Sequence, residues 1–230
     1  MKNILARGGI ELLAVLLGLS LSFYLEDVRE NSNLKNLNYQ IFERINETIN
    51  YDINDLEENI SVHSLAISSC KWIKSNLVNN VDLDSLSYHL SVAVFQTVFV
   101  PNEEEYKAIR SSGQIEVIQN KLLIKAIYDK YKQHSFLNKF DEIFSTFNAN
   151  VVQPYYNEIA DDIIVKSKDL PFSWAFLHYK INNMPDKKKL KILIGQLEQM
   201  HESYITVTNG VLRRTKVLNE LLVKELSTNN

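Results

Sequence analysis

The sequence predicts an all-α fold in which an N-terminal transmembrane helix continues into a helical-bundle domain. Helix breakers are scarce: the 230 residues include 6 glycines and 4 prolines. None falls between Gly18 and Pro101, so nothing interrupts a helix there. Residues 4–25 form an apolar run, and beyond it apolar residues recur at helical spacing. Hydrophobic residues make up 45% of the chain and charged residues 23%, a balance that supports a packed core and excludes wholesale disorder. The net charge of −3 offers no basic footprint for nucleic acid. Cys70 is the single cysteine, which excludes an internal disulfide and a multi-cysteine metal site.

The first element is the anchor, residues 1–30 with its flanks. As a helix, residues 4–25 span roughly 33 Å, enough to cross a hydrocarbon core. The purest stretch, 12–25, is short alone, so the span includes Arg7 or Glu11 near an interface. Lys2, Arg7 and the terminal amine precede the run, and Glu26, Asp27, Arg29 and Glu30 follow it. The positive-inside rule then places the N-terminus in the cytoplasm and the domain in the periplasm, at a bacterial inner membrane. Two other readings compete: a cleaved signal peptide, with Ser20-Leu21-Ser22 as a poor cleavage site, and a buried helix of a soluble core. Glu11, Ala14, Gly18 and Ser22 share one face, the last three forming a small-residue seam that lets helices approach closely. The seam predicts self-association. A sharper alternative has Glu11 lining the pore of an oligomeric channel.

The domain, residues 31–226, begins with Leu34, Leu37, Ile41, Ile45, Ile49, Ile53, Leu56 and Ile60 at steps of three and four. Leu34, Ile45, Leu56 and Ile67 repeat every 11 residues, the period of a nearly straight packing seam. Anchor and seam can form one continuous helix, ending at Asn79-Asn80. A second helix is predicted over 82–100, stopped by Pro101. Asn102 caps a short third helix with Glu105 at the capping-box position, and Gly113 suits a left-handed terminus after Ser111 and Ser112. Asn120 caps a helix running toward Val152, with an aromatic stripe from Tyr128 to Phe147 assigned to the core. Pro154 kinks or restarts the chain. Residues 155–165 continue as helix, and 172–180 form a short aromatic helix. Pro185-Asp186 opens the last long helix, 187–225, before a frayed tail at 227–230.

The segment Phe99-Val100-Pro101, then Tyr106 through Arg110-Ser111-Ser112-Gly113, then Ile118-Gln119-Asn120, with Leu123, Ile127, Tyr128 and Tyr131, resembles the central signature of a family of bacterial single-pass membrane proteins common in Bacteroidota. That signature runs Tyr, Leu-Lys-Ser-Ser-Gly, Ile-x-Asn, then Ile-x-x-Tyr-Tyr. Gly9-Ile10-Glu11 and Leu17-Gly18-Leu19 approximate the Gly-Glu and Gly pattern of its anchor. Ile10 is an insertion, Arg110 replaces Lys and Tyr131 is offset. The resemblance covers roughly 60 residues and implies a one-helix anchor with a helical domain, and no activity. Read physically, Tyr106, Ser111, Ser112, Gly113 and Asn120 build a turn between helices.

No phosphate-binding loop, dinucleotide fingerprint, nucleophile elbow or zincin motif occurs. The histidines 63, 89, 134, 178 and 201 are isolated in sequence and read as buried or surface side chains. Glu158, Asp161 and Asp162 fall on one face of the predicted helix, but no Glu-x-x-His pair accompanies them, so solvated charge is the reading. Lys187-Lys188-Lys189 opens a helix against its dipole. No catalytic, cofactor or metal residue is assigned. The expectation is a non-enzymatic, membrane-anchored interaction, sensor or scaffold protein, homo-oligomeric, with the lipid bilayer and a protein as partners and no nucleic acid. The alternatives are a channel or membrane effector and, third, an enzyme without a recognisable motif.

Overall fold

The computed structural model describes residues 2–78, 81–166 and 176–228, and within them every side chain except those of residues 2–12, 14, 165, 166, 176 and 228. One helix, α1, runs unbroken over Lys2–Asn76, 75 residues and about 110 Å at ~1.5 Å per residue. The expected anchor and the seam are thus one helix.

Its two halves differ. Leu13 and residues 15–33 are exposed, whereas Ile41, Ile45, Ile49, Leu56, Val62, Ala66, Cys70 and Ile73 are buried. The seam packs against α6 (Lys187–Thr228), and α4 (Lys121–Phe147) joins them as a third rod. Asn59 meets Tyr204 and Glu57 meets Lys216, so α6 runs antiparallel to α1. Asp52 meets Lys130 and His63 lies beside Phe144, so α4 runs parallel to α1. One apolar cluster gathers Ile41, Ile45, Ile109, Ile118, Ile127 and Leu222. A larger one gathers Leu56, Ile73, Leu90, Phe144, Tyr156 and Leu197.

Several elements correct the sequence reading. The helix α2 is Leu83–Ala93, capped by Asp82, and stops short of the expected 100. The following Val-Phe-Gln-Thr-Val-Phe-Val, rich in β-branched and aromatic residues, is instead an extended strap across the bundle. Asn102 does not cap α3 (Glu104–Ser111); Glu103 holds the N-cap position without a side-chain bond, because the Asn102 amide is engaged by Asp52. Gly113 does take the left-handed conformation, with φ 74°, and Asn120 caps α4 by accepting from the Leu122 and Leu123 amides. Of the aromatic stripe, Tyr131 and Phe144 are buried, while Tyr128 and Phe136 face outward.

Before Pro154, residues Asn148–Val152 form a π-helical turn. Proline offers no amide to the preceding turn, so the hydrogen-bond ladder shifts there. The helix α5 (Gln153–Ile159) ends six residues short of the expected 165. The strand β1 (Asp162–Lys166) pairs antiparallel with β2 (Phe176–Lys180), with Ile164 opposite His178. A helix was expected over 172–180; residues 176–180 are strand, and 172–175 lie outside the described residues. Among the described residues the fold is therefore helical with one antiparallel strand pair, the hairpin. Tertiary bonding overrides helix propensity here: Ser91 Oγ accepts from the Tyr179 amide at 2.8 Å and Ser87 Oγ from the Ile181 amide at 3.1 Å, seating the hairpin on α2. Because Asp161 and Asp162 leave the helix, they share no helical face with Glu158.

α1 ends at Asn76, ahead of the expected Asn79-Asn80, which lie outside the described residues. Asp186 starts α6 as expected: its Oδ1 accepts from the Lys188 and Lys189 amides and offsets the lysine run. Among the described residues, no helix is long and apolar enough to cross a membrane. The described apolar run, 13 and 15–25, covers only about 20 Å of helix, and the residues that would extend it lie outside the described side chains.

Candidate functional site

Two places hold chemistry that packing alone does not require. The first is the exposed apolar sleeve on α1. Leu13, Leu17, Leu21 and Phe23 are among its side chains, with Leu17 and Phe23 each 69% exposed. Gly18 has open space around it and Ser22 is exposed; the side chains of Glu11 and Ala14 lie outside the described residues. The helical backbone continues through all four of these positions.

The second is a polar stripe inside the bundle. Asp52, Asn59 and His63 lie on the inner face of α1, each nearly or wholly buried, where the apolar periodicity had pointed to Ile53 and Ile60. The Lys130 ammonium donates to Asp52 Oδ2 at 2.6 Å, both side chains being fully buried. Asp52 Oδ1 accepts from the Asn102 amide at 3.0 Å and its side-chain Nδ2 at 2.8 Å. Burial pulls the Lys130 ammonium below its ordinary value, with the Asp52 charge opposing that shift. Its Nζ also lies 4.1 Å from the centre of the Tyr131 ring, which stacks on Tyr106 at 3.8 Å. Tyr131 thus walls this ion pair and Tyr106, of the predicted turn signature, backs Tyr131, while Ser111 and Ser112 bond back to the Ala108 and Ile109 carbonyls. One turn along α4, His134 is fully buried with neither ring nitrogen hydrogen-bonded, and burial pushes it down to about 3.

Farther along the stripe, His63 and His201 face each other with Nδ1 to Nδ1 at 2.8 Å. His63 Nε2 lies 3.1 Å from the Thr97 carbonyl, and His201 Nε2 lies 3.0 Å from the Ala93 carbonyl. The Ala93 carbonyl is one of those left without a helical partner at the end of α2. Tyr204 stacks on His63 at 3.8 Å and donates to Asn59 Oδ1 at 3.2 Å. Burial pulls both rings down, to about 3 for His63, where the His201 charge adds to the effect, and to about 4 for His201, where the Ala93 carbonyl opposes it. Beside Tyr204, burial raises the Asp141 carboxyl to about 7.

A cleft of about 270 Å³ lies between the strap, the π turn and the hairpin, lined by residues including Gln96, Asn148, Tyr156 and Leu177. Among the described residues no three His, Cys, Asp or Glu side chains converge in a way that could hold a metal ion. The sequence carried a signal for the stripe that apolar counting missed: polar residues 52, 59 and 63 keep the same helical phase as Ile45 and Leu56. Its partners Lys130 and His201 come from distant helices and left no local mark. Comparison with known protein families, curated proteins and solved structures finds no match to this chain.

Proposed function

We propose that this chain is a membrane-anchored, non-enzymatic sensor or scaffold that self-associates through its N-terminal helix. The continuity of α1 carries this reading. The exposed and mainly apolar residues 13 and 15–25 belong to the same unbroken helix as the buried seam from Ile41 to Ile73. An apolar sleeve of this extent needs a cover, and a helix satisfies its own backbone bonds in lipid. Charge flanking the run favours the bacterial inner membrane, with the bundle on the periplasmic side. A continuous rod passes tilt or rotation of the anchor into the α4 and α6 contacts. The resemblance of 9–19 and 99–131 to single-pass membrane proteins points the same way.

Ser22→Cys in the full chain tests this in isolated membranes. Cys70 is buried, with its thiol pushed up to about 12, and stays silent. A disulfide-linked dimer is expected for Ser22→Cys and none for the exposed-face control Phe23→Cys. Leu17→Glu with Leu21→Glu is expected to move the chain out of the membrane fraction. An unmodified chain that stays dispersed, monomeric and independent of detergent overturns the proposal.

A further inference from the structure

The four ring nitrogens of His63 and His201 make three close contacts inside the bundle. A carbonyl oxygen only accepts, so the contacts to Thr97 and Ala93 require a proton on Nε2 of both rings. If both rings were neutral, each Nδ1 would then be a bare lone pair, and two lone pairs do not face each other at 2.8 Å. One further proton between them satisfies all three contacts at once. The separation is too short for a bridging metal, whose bonds to imidazole nitrogen are each about 2.0–2.1 Å in a tetrahedral site.

We propose that His63 and His201 form a buried proton-binding site, holding one proton between their Nδ1 atoms, and that its occupancy clasps the strap of residues 94–100 to the bundle. Loss of the proton leaves two choices. The lone pairs repel, or one ring moves its proton to Nδ1 and turns a bare Nε2 toward the Thr97 or Ala93 carbonyl. Either choice breaks a contact, and the two carbonyls belong to the strap, at Thr97, and to the end of α2 that leads into it, at Ala93. A second added proton is excluded, since it would put two adjacent positive charges in a dry site.

The surroundings contain few charges that could substitute. On α1, Asp55 accepts from the Val100 amide at 3.1 Å, holding the far end of the strap, and Glu58 lies near it. On α4 the facing carboxyl is Asp141. On α6 they are Tyr204 and, one turn before His201, Glu198, which is already paired with Lys74. The strap itself carries no ionisable residue. The site lies wholly within the bundle and does not depend on the membrane reading.

The test uses full-length protein, labelled with ¹⁵N-histidine and at the Val100 amide, in detergent micelles from pH 3 to pH 9. At the acid end, both Nε2 atoms are expected to be protonated, with one low-field proton coupled to both Nδ1 atoms. The pair should take up one proton in total. Across that transition, protection of the Val100 amide, corrected for intrinsic exchange, is expected to fall about tenfold as the proton leaves, the effect of one lost hydrogen bond. His201→Gln should show the lowered protection at every pH. Should that variant not fold, His63→Gln serves, and the tautomer measurement on the unmodified chain stands alone. Three results overturn the proposal: uptake of two protons, one Nε2 lacking a proton at every pH, or Val100 protection as high and as pH-dependent in the variant as in the parent. The last would assign the strap to Asp55.

Discussion

The two halves of α1 draw on similar apolar residues, in a continuous run in the outer half and at steps of three and four in the inner, and they meet opposite surroundings. Residues 15–33 have no protein neighbour to bury them, while residues 41–77 carry the seam of a three-helix bundle. In the outer half, residues 15–25 form a nearly continuous apolar run broken only by Gly18, Ser20 and Ser22, and charged and polar residues follow from Glu26. In the inner half the apolar stripe is interrupted by Asp52, Asn59 and His63, each met by a partner from another element. A helix surrounded by one medium needs only uniform apolarity. A helix packed on specific neighbours can carry polar groups, provided each is answered. The difference assigns the outer half to contact with a medium or a copy of itself, and the inner half to a fixed set of internal partners.

The sharpest way to break this comparison is to remove one answer. Lys130→Met leaves the Asp52 carboxylate buried with only the Asn102 donors. The expected loss is about 3–5 kcal/mol, the cost of an uncompensated buried charge. Thermal unfolding should then fall by roughly 10 °C. Leu17→Ala in the outer half removes more apolar surface from a site with no protein contact, and should leave the unfolding midpoint within about 2 °C. Equal losses from the two variants would mean that the outer half is packed against protein.

A second effect probes the bundle that the inner half joins, by pH. His134, on α4, makes no hydrogen bond, with Glu103 Oε1 3.9 Å from its Nδ1, and burial lowers it to about 3, whereas an unfolded histidine titrates near its ordinary value of 6.5. Below 6.5 the unfolded chain binds the proton that the folded chain refuses. Stability is therefore intact above that value and is lost as pH falls from 6.5 toward 3. At about pH 4 the deficit from this residue is on the order of 3 kcal/mol. His134→Phe, which keeps a ring against Phe99 and Tyr131, should flatten that part of the acid limb in a denaturant titration. An unchanged slope would place the acid sensitivity elsewhere.

These contrasts explain what was legible in the sequence. The rods α1, α4 and α6 were readable because apolar spacing and terminal signals at Asn120, Gly113 and Asp186 are local. The strap and hairpin were not. Residues 94–100 contain no breaker before Pro101, and what holds them extended is a set of distant groups: Asp55, His63 and His201. The strand at 176–180 likewise depends on Ser87 and Ser91, roughly 90 residues earlier. The polar stripe was visible as residue positions, but its chemistry was not, because a buried Asp or His is defined by its partner.

The smallest effect compares two glycines. Gly113 has φ 74° and Gly18 lies within α1, and neither would crowd an added Cβ. Any cost of alanine is therefore one of backbone conformation and not of space. At Gly113 alanine must adopt a left-handed geometry, and the expected loss is about 1 kcal/mol, with asparagine costing less. At Gly18 the same substitution favours the helix by up to about 1 kcal/mol in propensity. Gly113→Ala should thus lower the unfolding midpoint by a few degrees while Gly18→Ala does not lower it at all. If Gly18→Ala also lowers it, or weakens the Ser22→Cys crosslink, then Gly18 serves as a point of close helix approach and the outer half carries a specific interface as well as an apolar surface.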